Sequence, residues 1–297
     1  MSENPTLFDI PGESCHERYL HLRDNPRFED RRKHCDLLWQ AFSPYAEPTF
    51  KQEFSLHPQK RYWEMYLGCH ALNIGYRLQP KTDEFGPDLC FDMEGLRVWV
   101  EVTAVDAGTG PDAVPKVSQH SGHDPIPDER IVLRFTNAVS EKHKKLISYQ
   151  ESGLVSSRDA YIVAVNAAEI DMSLFDFDFP IPLIVKALYP LGQHVIQIDT
   201  VQERVVGEGY QFRSAIEKRS GSEVPTDIFL NPSYSGISGV LYSLAACWEF
   251  PRRSVNDLLY VHNSVAYIRM PYGWMRAGRD CWKENDYWTI RNNEQFA

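Results

Sequence analysis

The sequence predicts an α/β fold, a mixed central sheet flanked by helices. Three observations predict it. Apolar residues recur at helical spacing over residues 61–78, two apolar strands form a hairpin over 86–104, and a long helical pattern at 129–150 leads into the continuous apolar run YIVAV at 161–165.

Residues 1–55 read as a helical N-terminal arm, polar apart from the amphipathic piece RRKHCDLLWQAF, with Pro44 and Pro48 ending the pattern. Residues 56–297 read as one α/β domain with a core at about 61–166 and a C-terminal extension. In RYWEMYLGCHALNIGYRL, the stripe Tyr62, Met65, Tyr66, Cys69 and Leu72 marks a buried helix face. Glu64 lies off that stripe, but Leu67, Gly68 and Ala71 follow one turn later, so it also faces protein.

Met93-Glu94-Gly95-Leu96 predicts a tight hairpin with a two-residue loop. The register then pairs Met93 with Leu96, Phe91 with Val98 and Leu89 with Val100 on one apolar face. The other face pairs Asp92 with Arg97, Cys90 with Trp99, and Asp88 with Glu101. Directly opposed carboxylates repel, so either one stays protonated or a cation lies between them, and oxygen ligands suit a hard divalent ion. Thr103 points the same way as Glu101 and faces Gly86, leaving room beside the acids. The alternative is a pair of acids solvated at strand ends.

Residues 108–127, GTGPDAVPKVSQHSGHDPIP, form a long loop beside the acids. The helix after it carries Phe135, Val139, Leu146 and Tyr149 on one stripe, with Lys142 on the same stripe, where a lysine either snorkels or serves a site. YIVAV has the character of a buried central strand. Farther on, LIVKALYP, HVIQID, ISGVLYSLAA and NDLLYVHNSVAYI read as strands and IEKRSGSEVPTD as a polar connection.

Composition restricts the function classes. Hydrophobic residues at 43% and charged residues at 24% describe a soluble globular chain. A net charge of −10 does not attract polyanions, so nucleic-acid contact must be local, at basic clusters such as 31–33, 141–145, 217–219 or 251–253. The first residues lack a basic start with an apolar run, and no apolar stretch is long enough to cross a membrane, so the expected location is cytoplasmic. Six scattered cysteines without a CxxC pair are expected to be reduced, mostly buried thiols.

A helix with Glu64, Pro87-Asp88 before a strand, the strand segment Glu101-x-Thr103, a helix with Lys142 and the strand YIVAV together resemble the core of the PD-(D/E)xK nuclease superfamily, over residues 61–166. The resemblance implies a restriction-endonuclease-like core in which Glu64, Asp88 and Glu101 hold Mg2+ or Mn2+. Thr103 stands where the family's lysine usually sits, and some branches move that lysine to a neighbouring helix, which makes Lys142, and after it Lys145, the candidate here.

The expected function is divalent-metal-dependent phosphodiester hydrolysis of nucleic acid, with DNA as the first candidate substrate and restriction or defence as the setting. Asp88, Glu101, Lys142 and Thr103 are the candidate catalytic residues, and a homodimer is the assembly to test. Two alternatives stand beside it. One is an inactive nuclease-fold binding or structural module, favoured by Thr103. The other is an unrelated α/β enzyme whose site would include His262 and Asn263. The aromatic C-terminal stretch YGWMRAGRDCWKENDYW either stacks on bases or packs as core.

Overall fold

The computed structural model describes residues 6–12, 14–81, 85–116, 126–171, 180–249, 257–284 and 287–293. Residues 117–125 of the predicted long loop and the basic cluster at 251–253 lie outside the described residues. Four helices come first: α1 (Glu17–Asp24), α2 (Glu29–Phe42), α3 (Phe50–Leu56) and α4 (Pro58–Asn73). They are followed by the short strand β1 (Arg77–Leu78) and the hairpin strands β2 (Leu89–Met93) and β3 (Leu96–Asp106).

Glu94 and Gly95 turn that hairpin with φ of +54° and +90°, two left-handed residues in succession, which matches the right-handed twist of the flanking strands. The ladder has the predicted register from Met93↔Leu96 to Leu89↔Val100. Leu89, Phe91, Met93, Val98 and Val100 are buried in one cluster, as the alternation requires.

Helix α5 (Asp128–Glu151) then crosses over to β4 (Ala160–Glu169), which lies parallel to β3. Helix α6 (Leu183–Leu188) comes next, then β5 (Leu191–Asp199) paired with β6 (Arg204–Phe212), and β7 (Ala215–Glu217) paired with β8 (Glu223–Pro225). The chain returns to the main sheet through β9 (Gly239–Ser243), β10 (Leu258–His262), β11 (Arg279–Glu284) and β12 (Tyr287–Asn292). Eight strands in the order β1-β2-β3-β4-β9-β10-β11-β12 form a mixed central sheet. Its middle strand, β4, runs parallel to both neighbours and is buried at every position but the last.

Helices cover both faces of the sheet. On one, Trp63 and Met65 of α4, with Phe42, Phe50 and Phe54 of the preceding helices, share a cluster with Val98, Val100, Ile162 and Ala164. On the other, Phe135 and Val139 of α5 and Ile184 of α6 share a cluster with Val163, Val165 and Tyr242. Two readings need correction. LIVKALYP is helix α6 and not a strand; all six of its helical residues, Lys186 included, are buried, and a short run buried on every side carries no period to separate the two forms. IEKRSGSEVPTD contains the small hairpin β7-β8. The six cysteines are free thiols, five of them buried.

Gly68 fixes the approach of α4 to α2, since a Cβ there would come within 2.4 Å of the Phe42 ring. Gly68→Ala is therefore expected to lower stability by about 1–3 kcal/mol, the usual cost of overpacking, read as a fall in the urea midpoint without a change in slope.

Candidate active site

Glu101 sits in the middle of β3 with 1% of its surface exposed. Its side chain is on the α5 face, where Oε1 accepts hydrogen bonds from the Lys142 and Lys145 ammoniums, both at 2.8 Å, and Oε2 accepts one from the Tyr149 hydroxyl at 3.2 Å. Steps of three and four residues place these donors on one side of α5. Burial pulls the Lys142 ammonium below its usual pKa against the opposing pull of Glu101. Lys145 is half exposed, and there the hydrogen bond and charge of Glu101 outweigh burial and raise the pKa. Tyr149 is pushed up by burial and then by the Glu101 charge, so it stays a donor.

Asp88 departs from the simple cross-strand pair. The ladder ends at Leu89↔Val100, and Asp88 lies in the bend before β2, where its Oδ2 accepts a 2.7 Å hydrogen bond from the Val102 N–H. A backbone donor that a longer β2 would have satisfied is satisfied by the carboxylate instead. Lys60 stands 3.9 Å from the other oxygen. The β2–β3 ladder stops at Leu89↔Val100, so Gly86, at φ +136° in the bend before β2, is not a ladder partner of Thr103 as the extended register required.

Glu64 is buried on α4 beside Arg61, whose guanidinium lies 2.7 Å from it, 2.6 Å from Glu47 and 3.6 Å from Glu53. Burial, reinforced by the charge of Asp88, pushes the Glu64 carboxyl up to about 8. Arg61 pulls the other way but fails to prevent this, because its single charge is shared among three carboxylates.

The structure thus gathers Glu101 and Lys142 into one hydrogen-bonded cluster, with Asp88 close enough for its charge to act on Lys142, Lys145 and Glu64. Thr103 is two positions beyond Glu101 and makes no hydrogen bond to Glu101, Asp88 or Lys142. Sequence reasoning missed Lys60, Arg61 and Lys81, which with Lys145 rim a cleft of about 540 Å³ that opens onto Asp88. Arg61 carried a signal in its spacing of three from Glu64. The predicted stripe held Tyr149 as packing and not as a donor to Glu101.

Comparison with known proteins gives no match, whether to family models, curated proteins or solved structures.

No three acidic, histidine or cysteine residues converge into a ready coordination shell among the described residues. Glu64, Asp88 and Glu101 offer carboxylate oxygens, the donor type a hard divalent ion prefers, but each already accepts a hydrogen bond from a protein group. Glu101 is the most committed of the three, since both of its oxygens already accept hydrogen bonds.

The raised Glu64 pKa has a definite sign in stability. Between its ordinary value of 4.5 and about 8 the native state binds more protons than the unfolded one, so stability falls as pH rises through that window. The melting temperature is expected to drop between about pH 5 and about pH 8, and Glu64→Gln to flatten the drop, measured by thermal denaturation of both proteins across the range.

Proposed function

We propose that this chain hydrolyses phosphodiester bonds in nucleic acid with a bound Mg2+ or Mn2+, and that DNA is its substrate. The observation that carries this reading is the hydrogen-bonded cluster of Glu101 with Lys142, Lys145 and Tyr149, of which Lys145 and Tyr149 line, with Asp88, a cleft that also holds Lys60, Lys81, Glu47 and Glu53. The order α4, β2, β3, α5, β4, with Glu64, Asp88, Glu101 and Lys142 placed along it, also supports the resemblance to the PD-(D/E)xK superfamily and a restriction-endonuclease-like core.

Asp88, Glu64 and Glu101 are the residues that would hold the ion, and a bound ion would make a water more nucleophilic and offset charge on the phosphate. On this reading Lys60, Lys81 and Lys145, which face Asp88, Glu47 and Glu101 at the cleft, would also meet the phosphate backbone. Lys142 and Lys145 present two ammoniums beside the acids, which is the charge needed to stabilise a five-coordinate phosphorus. Thr103 supplies no charge, so on this reading α5 has taken the role of the strand lysine.

One observation favours the second reading, an inactive nuclease-fold binding module. Lys142, Lys145 and Tyr149 close a network around Glu101 that is internally satisfied.

Purified protein incubated with supercoiled plasmid and labelled single strands in Mg2+, Mn2+ or EDTA decides between them. Metal-dependent cleavage is expected, reduced about 100-fold or more by Glu101→Gln, Asp88→Asn or Lys142→Ala and less by Lys145→Ala. Cleavage that persists in Glu101→Gln refutes the assignment. Retained strand binding without cleavage, and without stabilisation by metal, selects the binding module.

A further inference from the structure

The aromatic C-terminal segment divides in two. Trp274 is buried in the core on one face of the sheet and Trp288 packs against the cluster on the other, so both serve packing. Tyr272 and Trp282 do not. Their rings lie 4.4 Å apart at 34° and line a separate cavity of about 450 Å³ with His262, Arg269 and Lys283. This cavity sits at β10 and β11, and in the sheet β10 is three strands removed from β3.

The cavity wall is preorganised. Asp280, wholly buried, accepts hydrogen bonds from the His262 Nε2 at 3.1 Å, the Gly273 backbone N–H at 2.7 Å and the Asn293 amide at 3.0 Å. One carboxylate therefore ties together β10, the loop bearing Tyr272 and the end of the described chain. The Tyr189 hydroxyl holds the His262 carbonyl at 2.7 Å, and the imidazole makes T-shaped contacts with the rings of Tyr260, Tyr272 and Trp282. With Nε2 engaged, Nδ1 of this largely buried ring has no protein partner among the described residues. Arg269 spends one donor on the Ser264 carbonyl, and neither Arg269 nor Lys283 has a carboxylate partner among the described residues.

A paired aromatic surface, a pinned imidazole with one nitrogen open and two cations without a carboxylate partner among the described residues are the complement of a planar ring joined to an anion. We propose that this cavity binds a nucleotide unit, with its base packed against the Tyr272–Trp282 pair and its phosphate at Arg269 and Lys283. The unit is either a free mononucleotide or one nucleotide of a single strand. The proposal stands on this cavity alone and is independent of hydrolysis at Glu101.

Calorimetric titration of the full chain in EDTA with dTMP, thymidine, inorganic phosphate and a short oligothymidylate tests it. Binding of dTMP, or of the oligonucleotide alone, is expected, the first identifying a free nucleotide and the second a strand. Tyr272→Ala and Trp282→Leu should each weaken binding about tenfold, in line with loss of one stacking partner. Lys283→Ala should weaken dTMP or the oligonucleotide while leaving thymidine unaffected, and binding should persist in Glu101→Gln, which separates this cavity from the acidic cleft. Tyr272 is half exposed, so an unchanged melting temperature certifies that variant as folded. Absence of binding by every probe, or affinities indifferent to both aromatic substitutions, overturns the proposal.

Discussion

A carboxylate held at the centre of a buried strand sets the terms for much of this molecule. Glu101 is removed from water in β3, and an ion in that position must be matched by charge and hydrogen bonds within reach. The crossover from β3 through α5 to β4 supplies them, since a helix lying along the strand can present Lys142, Lys145 and Tyr149 on one face. A buried ion pair of this kind rarely exceeds the stability of an apolar replacement. Folding stability alone therefore gains little from it.

Charge is distributed in keeping with this. The chain is strongly acidic overall, yet four cations from three elements or their flanks meet Glu47, Glu53 and Asp88 around the cleft: Lys60 and Arg61 of α4, Lys81 after β1 and Lys145 of α5. Arg61 is the junction on the α4 side, shared by Glu47, Glu53 and Glu64. It links the N-terminal helices to the acidic cluster electrostatically, while Phe42 against Gly68 links them by packing.

How far the sequence discloses this depends on the range of each interaction. The hairpin register was legible because alternation of period two and a Glu-Gly turn both constrain it locally. The α5 stripe was legible because its period extends over 24 residues, and it carried Lys142 to the correct face. The rotation of Asp88 onto the Val102 N–H was not, because it depends on where β2 stops, and strand ends leave little trace in side-chain pattern. The convergence of Lys60 and Lys81 on the same cleft depends on tertiary placement of separate segments, and the tie between His262 and Asp280 on the parallel pairing of β10 with β11. Neither is encoded by spacing along one element.

The two-residue length of β1 bears on access to the acids. β1 forms the sheet edge next to β2, on the side where Lys81 and Asp88 enter the cleft. So short a strand presents too few backbone donors and acceptors to template another chain by strand addition. Blunting that margin keeps an intruding strand from pairing along the edge beside the cleft.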